Sequence, residues 1–465
     1  MAARLRAASD SFHKSDMASY QLCDNPGMSA EPTDARSGSA STAAQLRRAT
    51  AASFVGTTIE WYDFFLFGLV TATVFDRLFF PRLNPTAGTL ASLAAFAVAF
   101  VARPLGGVLF GHIGDRIGRK ATLILTLLIM GVGTSVIGLL PTYSAIGIWA
   151  PVLLVIARLV QGLSAGGELG GAILIAVEPA PAKRRGYYGS WPTQGVNAGL
   201  ALASAAYLLV VHLTGNSLLS WGWRIPFLAS AVLLLVGLYV RLRVLETPEF
   251  REIRESGQRA GVPIAVVLRH HKRALLIGMG ALTAGTIPFY IATVFTLSYG
   301  PKQLGMSPQM ILAGTVVAAL VGVPLIPLLG ALSDRLGRIR VLKAGAVYMA
   351  LIAFPFFWLF ETGDPVLVGL ALVLVVAVGS AVTFGVLTSF LAELFDAPVR
   401  YSGIALSYQL NGVLTSAPAP FVAAGLYAWA NGSWPVAVYM IAGSLVALVA
   451  LVAAGRRPAG PGEHR

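Results

Sequence analysis

Five ionisable side chains stand inside long apolar stretches of the chain: Glu60, Asp63, Arg103, Arg158 and Glu168. A charge at bilayer depth is costly, and its default explanation is functional. Carboxylates and guanidinium groups support two chemistries without a cofactor. A buried acid gains proton affinity and a nearby cation lowers it, so a change in hydration can load and unload a proton. A guanidinium can hold a carboxylate through two parallel bonds. Glu60 and Asp63 are one helical turn apart and share a face. At about 1.5 Å rise per residue, Glu60 and Asp63 lie roughly 13–18 Å deep, Arg103 roughly 12 Å and Glu168 roughly 15 Å. Arg158, about 30 Å along its helix from Glu178, is nearer the opposite surface. Arg158, Gln161 and Glu168 fall within about 80° around one helix and can face a common pore. The set reads as a proton-coupled network on a central cavity. The alternative is a permanent ion pair that fixes the helices carrying it.

Around these charges, Gln161, Gln194, Asn197, Gln409 and Asn411 are candidate polar pocket residues, and Tyr62, Trp191 and Tyr290 candidate aromatic lining. Hydrogen bonding between helices accounts for the polar ones equally well. Other chemistries lack their residues. The six histidines, His13, His112, His212, His270, His271 and His464, are not clustered, and the single cysteine, Cys23, is in a polar tail. No GxxxxGK[ST] loop is present to cradle a nucleotide. The sequence therefore implies no metal site, no cofactor and no bond-making reaction.

The elements that position these residues are membrane helices. The chain of 465 residues is 56% hydrophobic and 12% charged, against about 25% charged in soluble domains, so the lipid bilayer is its solvent. Stretches of about 20 apolar residues span a bilayer. Twelve are present, near 52–75, 87–110, 121–141, 150–177, 187–211, 224–243, 272–298, 309–330, 341–360, 365–392, 402–428 and 433–454. Both tails and the even-numbered connections hold 28 of the 34 Lys and Arg residues, and the odd connections hold four. By the positive-inside rule the tails and even connections are cytoplasmic. The same sorting explains the net charge of +13 without nucleic acid as a partner. Residues 1–48 are polar and Ala/Ser-rich and read as a disordered tail with Met17 and Met28 as alternative starts; they are not a signal peptide. A polar stretch at 244–271 divides 49–243 from 272–454, six helices each, and 455–465 form a short tail.

The two halves share a motif. GHIGDRIGRK, Gly111 to Lys120, returns as GALSDRLGRIR, Gly330 to Arg340, with Asp115, Arg116, Gly118 and Arg119 matching Asp334, Arg335, Gly337 and Arg338 at a constant 219 residues. Glu178 precedes Arg185 by seven residues, as Glu393 precedes Arg400. Two symmetric charge clusters follow: Asp115, Arg119, Glu178 and Arg185, and Asp334, Arg338, Glu393 and Arg400. Each would close when the cytoplasmic face shuts, since such pairs gain strength as helices exclude water. A dense set of glycines, Gly162, Gly166, Gly167, Gly170 and Gly171, lets helices approach closely.

With these features the chain resembles the major facilitator superfamily over about residues 49 to 455. The twin loops look like its signature, and ARLVQG, Ala157 to Gly162, like its helix-4 pattern. GTTIEWYDFFLFG (Gly56 to Gly68), LSAGGELGGA (Leu163 to Ala172), RRGYYGSWPTQG (Arg184 to Gly195), WGWRIPF (Trp221 to Phe227) and LETPEF (Leu245 to Phe250) resemble the metabolite:proton symporters, a group of proline/betaine, shikimate, α-ketoglutarate and citrate transporters. Asn197 stands where those symporters usually carry proline, and the long helical tail of the osmosensing members has no counterpart here.

The resemblance and the duplication together imply an all-α membrane protein: twelve transmembrane helices in two pseudo-symmetric six-helix bundles around a midplane site. The expected function is proton-coupled import of a small organic acid or zwitterion by alternating access at the bacterial inner membrane; a proton-driven exporter is the alternative. A monomer suffices for this architecture, and the sequence sets no oligomeric state.

Overall fold

The computed structural model describes residues 34–117, 119–166, 173–174, 176–177, 180–243, 263–396 and 399–455. Residues 34–47, which fall in a unit separate from the rest, are helical. Disorder was the expectation for this stretch. Its run of Ala, Gln, Leu and Arg before Thr50 favours helix over coil. Met17 and Met28, the alternative starts, lie outside the described residues.

The second unit, from Arg48 onward, holds the twelve helices. They are α1 Thr50–Phe79, α2 Pro85–Ile117, α3 Arg119–Leu139, α4 Trp149–Ala165, α5 Ala182–Thr214, α6 Gly222–Val240, α7 Lys272–Gln303, α8 Pro308–Leu336, α9 Arg338–Phe360, α10 Pro365–Leu394, α11 Arg400–Ala430 and α12 Trp434–Gly455. All but α3 and α4 have the length and hydropathy of full spans, and those two are shorter apolar helices. The sequence extends the fourth helix to residue 177, but 167–172 lie outside the described residues. A short helix, Pro263–His270, precedes α7; the linker residues 244–262 and the tail 456–465 lie outside.

Outward faces carry the apolar side chains that bilayer solvent requires, such as Leu202, Leu209 and Leu213 on α5 and Leu235 on α6. Inside each half, backbones touch. A Cβ on Gly106 of α2 would overlap the Leu163 carbonyl, and one on Gly162 or Gly166 of α4 would overlap the carbonyl of Ala99 or Arg103. Small residues make this α2–α4 seam possible.

The duplication also appears in backbone shape. Thr71–Phe75 in α1 and Ile291–Phe295 in α7 are each a π-helical turn, and both contain Ala-Thr-Val-Phe. In each, the threonine hydroxyl donates back to the carbonyl four residues earlier: Thr73 to Leu69 at 2.9 Å and Thr293 to Phe289 at 2.7 Å. This short repeat, 220 residues apart, lies in apolar sequence where single-residue reading passes over it.

Candidate functional site

The charges at mid-depth converge. Glu60 and Asp63 on α1, Arg103 on α2 and Arg158 on α4 are each less than a tenth exposed. Arg103 stands against Glu60 and Tyr290. Its guanidinium lies 4.7 Å from the ring centres of Phe64 and Phe100 and 5.7 Å from that of Trp61. Arg158 lies 3.8 Å from the Phe67 ring centre and 5.6 Å from that of Phe64, so both guanidinium groups lie against Phe64. Ring faces attract cations at these distances. They compensate part of the lost hydration without using the guanidinium donors. The Nε atoms of Arg103 and Arg158 have no hydrogen-bond partner among the described residues.

Asp63 is held by a hydroxyl. Ser230 of α6 donates to its Oδ1 at 2.6 Å, and Thr134 of α3 stands beside it. Arg158 donates to Gln161 Oε1 at 2.9 Å and to the Phe96 carbonyl at 3.3 Å, and Gln161 donates to Thr134 at 2.7 Å. Sequence reading missed Ser230 and Thr134. Hydroxyls are common in membrane helices, and nothing local marks these two.

The other half closes the site with rings. Tyr290 of α7 packs on Phe64, Phe96 and Phe100, and Phe289 on Phe65 of α1 and Phe384 of α10. Of the candidate pocket residues, Gln161 and Tyr290 are therefore in this cluster. Gln409 of α11 bonds the Gly166 carbonyl across the halves at 2.9 Å, beside a cavity of about 50 Å³ bounded also by Pro104 and Gly107.

The rest sit elsewhere. The Tyr62 hydroxyl donates to the Pro226 carbonyl at 3.0 Å and ties α1 to α6. Asn411 donates to the Met279 carbonyl at 3.0 Å and ties α11 to α7. Asn197 meets Gly322 of α8 at the α5–α8 crossing. Trp191 packs on Phe54 and Tyr187. Trp191 Nε1 and Gln194 Oε1 are buried and have no hydrogen-bond partner among the described residues. Glu168 lies outside the described residues.

At the end bearing the repeated loops, Arg338 donates to Glu393 at 2.6 Å, to Asp334 at 3.2 Å and to Ser389 at 2.8 Å. Asp334 also reaches the other half, accepting the backbone N–H of Gly186 at 2.8 Å and of Tyr187 at 3.1 Å. These residues begin the long helical segment α5, where an acid meets unpaired N–H groups and the positive end of the dipole. Gly337, at φ 89°, makes the turn between α8 and α9. Arg185, expected with Asp115, Arg119 and Glu178, is exposed, and the backbone of the residues after it bonds Asp334. Arg400 donates to the Phe395 carbonyl at 3.3 Å. In the first copy, the side chains of Asp115 and Arg119, and Glu178 entirely, lie outside the described residues. At the opposite end, Lys302 of α7 bonds Asp76 of α1 and Thr89 of α2, a contact the sequence reading did not include.

The family model of the Major Facilitator Superfamily matches residues 53–417. The chain belongs to that superfamily. It is 41% identical to the inner membrane metabolite transport protein YhjE of Escherichia coli K12 over 86% of this chain and 92% of that one. It is 39% identical to the shikimate transporter of the same organism over 87% and 94%, and 34% identical to its proline/betaine transporter over 87% and 82%. Among solved structures, the xylose transporter XylE in a partially occluded inward-open conformation superposes with a TM-score of 0.69 at 19% identity, covering 91% of this chain and 100% of that one. This superfamily member thus has twelve helices in two pseudo-symmetric bundles. It is a secondary transporter of a small molecule and a multi-pass inner-membrane protein, not an enzyme.

Proposed function

We propose that the protein imports a small organic acid or zwitterionic metabolite together with one or more protons. Glu60 and Asp63 bind the proton, and Arg103 and Arg158 receive the substrate's carboxylate. The observation that carries this reading is the packing of two acids and two arginines, all buried, among rings from both halves. Glu60 competes with an anionic substrate for Arg103. A proton on Glu60 removes that competition, so substrate and proton favour each other's binding. Shikimate, proline and betaine, which name the relatives, all carry a carboxylate.

The end bearing the repeated loops is taken as cytoplasmic, with both termini there, because Lys and Arg concentrate in those connections. Asp334, Arg338 and Glu393 then latch the cytoplasmic face, with Arg400 near them. Asp115, Arg119, Glu178 and Arg185 are the symmetric set. The bundles exchange access by rocking about the midplane. Purified protein in proteoliposomes with an inward proton gradient tests the reading, after a thermal-shift screen of organic acids, betaines and sugars selects a solute. Inward movement of solute with protons supports it. Outward movement makes the protein an exporter, and a response to sugars alone overturns the carboxylate assignment.

A further inference from the structure

Asp63 is a buried carboxylate that accepts from Ser230 of α6 at 2.6 Å, with Thr134 of α3 beside it. Each hydroxyl has an acceptor on its own helix. Thr134 donates to the Met130 carbonyl at 3.0 Å, and Ser230 lies 3.5 Å from the Pro226 carbonyl, both four residues back. A hydroxyl has one proton to donate and can rotate to either acceptor. Gln161 has no such choice. Arg158, a pure donor, occupies its Oε1, so its amide nitrogen must donate to Thr134. Thr134 therefore accepts from Gln161 and donates its own proton elsewhere.

We propose that Ser230 and Thr134 are positioning residues for Asp63, and that they form a rotating relay which follows its charge and passes that state through Gln161 to Arg158. With Asp63 ionised, both hydroxyls turn to it. With Asp63 protonated, both fall back on their own carbonyls, and no buried donor is left unpaired. Loading and unloading the proton thus carries no penalty from an orphaned donor, which a fixed N–H partner would impose. The relay ties α1, α3, α4 and α6 to the charge at one carboxylate. The charged and titratable groups around Asp63 are Glu60 and Tyr62 on its own helix, Arg158 of α4 through Gln161, and Arg103 of α2 opposite Glu60. Helix α6 turns a hydroxyl to it, and α3 places Thr134 beside it.

This inference rests on the reading of Asp63 as a proton-binding residue, and the test separates the two. Proton-driven uptake and solute counterflow are measured across pH for wild type, Asp63→Asn, Ser230→Ala, Ser230→Thr and Thr134→Val. A donor to the ionised acid favours that form. Ser230→Ala and Thr134→Val should each move the pH of half-maximal uptake upward by about one unit, a tenfold change in proton affinity. Counterflow at low pH should stay within about twofold, because the protonated state has its fallback bonds or needs none. Ser230→Thr should restore the wild-type profile. A purely structural role would lower uptake and counterflow together without moving the midpoint, and would overturn the relay. Asp63→Asn with unchanged proton coupling would overturn the reading of Asp63 itself. Loss of coupling in Asp63→Asn with unmoved midpoints in the hydroxyl variants would leave that reading standing and remove only the relay. A variant that misfolds is recognised by its thermal midpoint, and the other hydroxyl then decides.

Discussion

Arg103 combines two demands that lysine cannot meet together. Its flat guanidinium lies among Trp61, Phe64 and Phe100, and its Nε has no hydrogen-bond partner among the described residues. An ammonium keeps the charge but loses the planar fork and the stacking. Arg103→Lys should therefore fold normally and raise the KM for solute by about tenfold, roughly 1.4 kcal/mol, with a smaller change in maximal rate. Uptake kinetics in proteoliposomes check this, and an unchanged KM would remove Arg103 as the anchor. The charged residues were legible because each interrupts an apolar stretch at depth. Their partners were not: Ser230 meets Asp63 across 167 positions of chain, and a serine in a membrane helix carries no mark of what it faces. Trp191 and Gln194 were suggested by type alone; Trp191 Nε1 and Gln194 Oε1 are buried without a hydrogen-bond partner among the described residues, on a helix that Gly195 and Gly199 seat against α1.

Helix number and order were legible because a twenty-residue apolar stretch has one stable form in lipid. What periodicity did not reveal is how the helices touch. The α2–α4 seam depends on Gly106, Gly162 and Gly166, each with a facing backbone where a methyl group would go. Gly162→Ala should force the helices apart and cost about 1–3 kcal/mol as overpacking. A lower thermal midpoint and weaker uptake are expected, because Arg103 and Arg158 ride on the two helices that separate. An alanine at Gly425 of α11 is the control, since a Cβ there meets no neighbour within 4 Å; its midpoint should match wild type. Equal behaviour of the two variants would show that the seam tolerates separation.

Across the whole molecule the halves are symmetric in frame and asymmetric in chemistry. At the 219-residue offset of the repeated loops, Gly322 occupies the place of Arg103, and Asn197 fills the space at that glycine. One half carries the charges, and the other supplies rings and latches. The halves meet at both ends, and the two contacts differ in strength. Asp334 is 6% exposed and accepts two backbone N–H groups as well as Arg338. Hydrogen bonds to a charged group contribute about 1.5–3 kcal/mol each. Lys302 and Asp76 are more exposed, where a pair contributes about 0.2–1 kcal/mol. Two single substitutions should therefore open opposite ends by unequal amounts. With Cys23 replaced by serine, a cysteine at Ser190 reports the α5–α8 crossing, and one at Val294 reports the α1–α7 contact; both positions are buried. Asp334→Asn should raise the rate at which an impermeant thiol reagent labels Ser190→Cys by about tenfold or more, while labelling of Val294→Cys falls. Lys302→Gln should raise labelling of Val294→Cys by less than about fivefold, as an exposed pair allows. Combining the two should return both rates toward wild type, because one rocking equilibrium is weakened on both sides. Rates that rise together at both positions in either single variant would mean local loosening, and would remove the two contacts as opposing latches.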